Sequence, residues 1–136
     1  LRKVLEKQYV SGGAANADIV VAVGRSDRGC VSVMSIRNGQ NLGMRHYFQK
    51  TLLDETTSEM LAAILPQYYL RNPIPKELIV HPKIDGVIEL TRIFSEKAGR
   101  KVIIKSNVRD YRAQWLEMAL LNTTENLGRR HAYKNR

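Results

Sequence analysis

The sequence predicts a mixed α/β (α+β) domain built on a single five-stranded sheet. Three observations carry that expectation. Asp18–Val23 is a nearly all-apolar, β-branched run of the kind that forms a strand covered on both faces. Asn38-Gly39 stands between two strand-like runs, and both residues tolerate the positive φ that a tight hairpin needs. After Thr56-Thr57-Ser58-Glu59 the apolar spacing switches from two to about 3.6 residues, and helical faces then alternate with short apolar runs.

The elements follow in order. The apolar face of Leu1, Val4 and Leu5 predicts a helix over Leu1–Tyr9, and its uncapped start reads as the tail of a longer helix. Residues 11–16, small and polar, read as a linker. Asp18–Val23 is the first strand. Arg25–Gly29 forms a turn, and Cys30–Ile36 alternates as the second strand. Gln40–Phe48 is the third, so the first three strands make an antiparallel meander. Thr56 and Glu59 form a capping box, in which each side chain satisfies a free backbone N–H of the first turn. Met60, Leu61, Ile64, Leu65 and Tyr68 make the apolar face of the helix that follows, and Pro66 is expected to kink it or end it early.

Leu78–Val80 is a short buried strand. Val87, Leu90, Phe94 and Ala98 form a second helical face, closed by Gly99. Val102–Ile104 is the fifth strand, and Asp110 caps a last helix carrying Tyr111, Trp115, Met118 and Asn122. The order β-β-β-α-β-α-β-α, with Ile19–Val23 central, is the layout of a ribonuclease H-like fold. The expected organisation is a helix tail over residues 1–10, a linker over 11–16, the folded domain over 17–128 and a basic tail or linker over 129–136.

Composition bounds the function classes. A chain of 136 residues is about one domain, long enough to bury a core without a metal or disulfide staple. Cys30 is the only cysteine, which excludes an intramolecular disulfide and a cysteine-rich zinc site and suits a reducing, cytoplasmic compartment. Apolar runs such as Ile19–Val23 are far too short to span a bilayer, and no secretory signal is expected. Twenty-two Lys and Arg against 13 Asp and Glu give a net charge of +9. That balance favours polyanionic partners, nucleic acid first and an anionic membrane surface second, the plainer alternative being charge that only keeps the chain in solution.

Several stretches resemble a known family. Glu6–Val10, a small-residue gap and Asp18-Ile19-Val20 are similar to the segment that follows the UVR motif in UvrC, the nuclease subunit of bacterial excision repair. The similarity continues through Ile36-Arg37-Asn38-Gly39, Gly43, Tyr47-Phe48, Gln67-Tyr68-Tyr69 and Ile74–Ile79. It closes with Ala98–Val102, Arg109 and Met118-Ala119-x-x-Asn122. Two departures stand out: Asp110 where the family usually has glycine, and Thr123 where it usually has alanine.

The resemblance implies a role in nucleotide excision repair, with damaged duplex DNA and the UvrB helicase subunit as partners. It also implies that both nuclease centres, with their magnesium or manganese ions, lie outside this chain. One is the GIY-YIG domain before the UVR motif; the other is a second ribonuclease H-like nuclease that opens with Asp-Ile-Ser-His. Neither motif occurs in this sequence. Leu1–Tyr9 is then the tail of the UVR helix that docks UvrB.

Ribonuclease H chemistry needs carboxylates midway along the first strand and at the end of the fourth, to clamp two divalent ions. The first strand carries Ile19-Val20-Val21-Ala22-Val23 there, and the fourth ends in His81-Pro82. The expected domain therefore lacks the catalytic carboxylates. The alternative is a displaced site using Asp18 and Asp85, while Asp54-Glu55 is better placed as a helix-start dipole partner. His46, His81 and His131 match no zinc spacing and are expected to be structural or solvated. Trp115 and the tyrosines at helical spacing are expected in the core, and Gly12-Gly13 is too short to cradle a phosphate.

The basic residues remain. Arg100, Lys101 and Lys105 flank the fifth strand, and Arg109 and Arg112 open the last helix, both expected to be exposed. These five are the candidate DNA-binding residues, contacting phosphates without reading sequence. Arg129, Arg130, Lys134 and Arg136 are assigned to the linker. Two functions remain open: a non-catalytic DNA-binding and positioning module between two nuclease centres, or a protein-docking scaffold for UvrB or the neighbouring domains.

Overall fold

The computed structural model describes residues 15–52 and 54–134. The expected helix over Leu1–Tyr9, and most of the linker after it, lie outside the described residues. Five strands and three helices follow in the expected order: β1 (Ala17–Arg25), β2 (Arg28–Arg37), β3 (Gln40–Lys50), α1 (Thr57–Arg71), β4 (Glu77–His81), α2 (Val87–Ala98), β5 (Ile103–Lys105) and α3 (Asp110–Lys134). The strands form one sheet in the order β3-β2-β1-β4-β5, with β1 at the centre. β1 runs antiparallel to β2 and parallel to β4, and β4 runs parallel to β5. This is the mixed sheet of a ribonuclease H-like fold.

The hairpins set the register. Asn38 and Gly39 both take positive φ, 54° and 78°, as the twist of a two-residue hairpin requires. Their N–H groups are held by the Asn16 side chain and the Ala15 carbonyl, each at 2.8 Å. Because strand side chains alternate, β1 serves two cores. Val20 and Ala22 face α1 and α2, packing with Leu61, Leu65, Tyr69 and Phe94. Ala17, Ile19 and Val21 face α3, packing with Met34, Ile36, Trp115 and Ala119. A central strand buried on both faces explains the unbroken apolar run.

The capping box forms as expected: the Thr56 hydroxyl accepts from the Glu59 N–H, and the Glu59 carboxylate accepts from the Thr56 N–H. Gly99 closes α2 in the left-handed region, its N–H reaching the Ser95 carbonyl.

Two expectations need correction. Of the two outcomes expected at Pro66, a kink or an early end, the early end does not occur, and α1 continues to Arg71. Pro66 lies on the exposed face, where its missing N–H leaves no buried acceptor on the core side, while Leu65 and Tyr69 on the other face stay buried. The last helix does not give way to a linker after residue 128, because α3 runs on to Lys134. No proline interrupts it, Leu127 is buried, and the Arg130 guanidinium stacks 4.4 Å from the centre of the Phe48 ring. Burial and stacking thus carry the helix past the point where charge alone suggested a tail.

Candidate nucleic-acid interface

The positions where this fold places metal-binding carboxylates are apolar or carry histidine. Parallel register sets Val21 beside His81, with Val20 beside Val80. The displaced alternative does not assemble either. Asp18 sits beside Leu78 near the start of both strands, whereas Asp85 lies beyond the opposite end of β4 and is exposed.

Asp18 has another occupation. It is 1% exposed, and its carboxylate accepts from Arg37 Nη1 at 2.8 Å and from the Tyr69 hydroxyl at 2.5 Å. A buried carboxylate stays charged only with such partners. Burial, followed by the adjacent Asp18 charge, pushes the Tyr69 phenol well above its ordinary range, so it remains a donor. Among the described residues no three His, Cys, Asp or Glu side chains gather as a metal site.

The sequence did not bring Ser32 and His46 together, but the sheet does. They are direct neighbours on β2 and β3, with Ser32 Oγ 2.6 Å from His46 Nδ1 and 3.5 Å from Cys30 Sγ. A hydroxyl against an imidazole is nucleophile-like chemistry, yet Ser32 is fully buried, so no substrate reaches it. Burial, and secondarily the Arg129 charge, holds His46 below its ordinary value and keeps the ring neutral. Burial likewise raises the Cys30 thiol, against the hydrogen bond from Ser32, which leaves it a weak nucleophile.

The five candidate DNA-binding residues divide. Arg112 Nε lies 2.9 Å from both oxygens of Glu77, and Lys105 Nζ lies 2.9 Å from Glu77 Oε2. Burial pushes the Glu77 carboxyl up, but those two cations outweigh it and hold it below the usual carboxylate range. Arg112 is therefore a half-buried ion-pair partner, not the exposed side chain expected of it. Its task is to fasten α3 to β4. Arg100 Nη2 donates to the Ile74 carbonyl at 2.5 Å. Lys101 and Arg109 are exposed and make no ion pair among the described residues.

A second group of cations escaped the sequence reading. Arg25, Arg28 and Lys50 are direct cross-strand neighbours in turn, and α3 brings Arg129 and Arg130 over the same end of the sheet. The two-residue turn at Ser26-Asp27 was the available signal, since it fixes Arg25 opposite Arg28. Arg129 and Arg130 carried none, because only packing shows that α3 extends that far.

The family comparison agrees with this architecture. A family model described as the UvrC Ribonuclease H-like domain matches residues 16–130. The chain is 38% identical over 122 residues to UvrABC system protein C of Xylella fastidiosa strain M23, covering 90% of the chain and 20% of that relative. It is 36% identical over 135 residues to the same protein of Pseudomonas fluorescens strain SBW25, covering 97% of the chain and 22% of that relative. The chain thus spans about a fifth of the length of the curated relatives it matches. A crystal structure of a Bacteroides thetaiotaomicron protein, with an actin-like ATPase fold and unknown function, aligns over 88% of the chain and 42% of its own at 16% identity, with a TM-score of 0.39.

Proposed function

This chain belongs to the UvrC family, as its ribonuclease H-like domain, and from that premise we propose that it serves nucleotide excision repair as a non-catalytic, sequence-independent DNA-binding and positioning module between two nuclease centres. The observation that carries the proposal is the pairing pattern of its charges. In a chain of net charge +9, the exposed Arg25, Lys50, Lys101, Arg109, Arg129 and Arg130 and the part-buried Arg28 make no ion pair among the described residues. Cations left unpaired at a surface attract a polyphosphate backbone, and each phosphate contact releases counterions without reading a base.

The residues at the fold's metal positions, Val21 and His81, do not fit a two-metal site. The magnesium or manganese ions of excision belong instead to neighbouring nuclease domains of the longer protein. Damaged duplex DNA and UvrB are the partners this reading assigns, and the cytoplasm is its compartment. No helix among the described residues is long and apolar enough to cross a membrane.

The test is duplex binding over a salt series with two duplexes of unrelated sequence. Equal affinities are expected, with log affinity falling linearly against log salt by about 0.9 per phosphate contacted. Affinities that differ tenfold or more between the duplexes contradict the reading. Absence of DNA binding, with UvrB retained, makes the domain a docking scaffold instead.

A further inference from the structure

We infer that the end of the sheet formed by Arg25, Arg28 and Lys50, together with Arg129 and Arg130 of α3, is the phosphate-contacting face, and that it grips the backbone of duplex DNA. The inference rests on the DNA-binding reading above and places its contacts at residues other than Arg100, Lys101, Lys105, Arg109 and Arg112.

The register sets the arrangement. Arg25 pairs with Arg28 and Arg28 with Lys50, so three cations stand side by side across three strands on one face of the sheet. Direct cross-strand neighbours have Cβ atoms about 5 Å apart, and like charges so placed repel. Among the described residues no carboxylate offsets this row by an ion pair; Asp27 sits exposed at the turn, and Glu125 lies on α3 without pairing to any of the five. An arrangement that is self-repulsive alone becomes favourable once an anion lies across it.

α3 completes the face. The Arg25 guanidinium lies against Gly128, where even a methyl group would come within 3.2 Å of it. Arg130 is fixed on the Phe48 ring, which restricts its guanidinium before any ligand arrives. Between the sheet row and the helix is an open hollow of about 200 Å³ lined by Arg28, Phe48, Lys50, Leu127 and Arg130, with no acidic side chain among its walls. Arg129 and Arg130 also suit the negative end of the helix dipole, but that accounts for two of the five cations and leaves the strand row unexplained. Phe48 is already covered by Arg130, so among the described side chains the face offers charge and no free aromatic platform for base stacking. That favours the outside of a duplex over an unstacked single strand.

The experiment compares three forms of the whole chain on one duplex over a salt series: wild type, Arg25→Gln/Arg28→Gln/Lys50→Gln, and Lys101→Gln/Arg109→Gln. Wild type should bind; the triple variant should lower the salt slope by about 2.7 and the second variant by much less. Arg129→Gln, an exposed helical position whose replacement leaves the fold intact, should lower it by about 0.9 and carries the test if the triple variant melts. A slope unchanged in the triple variant and in Arg129→Gln, but lowered by Lys101→Gln/Arg109→Gln, overturns the inference and leaves the DNA-binding reading standing. Wild type that does not bind at all overturns that reading, and this inference with it.

Discussion

Asp18 shows how one residue changes meaning between sequence and structure. At the start of a central strand it is a candidate metal ligand; in the fold it is a buried charge balanced by Arg37 and Tyr69. Breaking one side of such a pair costs far more than the pair contributes, so Arg37→Met should lower stability by about 3 kcal/mol in urea melts. Replacing both partners with apolar residues should recover most of that loss, and a double-mutant cycle measures how much. Half of this was legible in advance: the hairpin register puts Asp18 opposite Ser35, one diagonal step from Arg37. Tyr69, 51 residues on, was not, because only packing of α1 brings it there. The two departures from the family pattern also become intelligible. Asp110 has φ 57°, in the left-handed region that favours glycine, which accounts for the family's usual residue. Asp110→Gly should therefore stabilise the chain by about 1 kcal/mol, read from the same melts. Thr123 is buried but satisfied, its hydroxyl donating to the Ala119 carbonyl at 2.8 Å.

At the level of elements, side chains with local partners were readable and those with distant partners were not. The capping box of α1 is a four-residue pattern, and Thr56→Ala should cost about 1 kcal/mol through the lost N–H acceptor. The Glu77 cluster joins β4, β5 and α3, so no single window of sequence reveals it. Its pH dependence has a definite sign. A carboxyl held below its unfolded value stabilises the fold above that value, and the stabilisation is lost as pH falls through the folded one. His46 acts in the same direction at higher pH. Its ring is held below 6.5 by burial first and by Arg129 second, so the unfolded chain takes up the proton more readily. Stability is then greatest above about pH 6.5 and declines toward acid in two stages. His46→Gln should flatten the upper stage and Glu77→Gln the lower, each measured as melting temperature against pH.

For the whole molecule, the meander and the βα units were legible because hairpin turns, caps and apolar period each act over a few residues. The location of the cation face was not, since it depends on α3 reaching the β1–β2 turn. The central claim is a ribonuclease H-like fold that binds DNA and leaves it uncut. The most direct measurement is a titration of the chain onto supercoiled plasmid with manganese present, analysed by gel before and after protein removal. The expected result is a plasmid progressively retarded by bound protein and fully supercoiled once the protein is stripped away. Nicked circles that accumulate with time, and disappear in Asp18→Asn or Asp85→Asn, would contradict it.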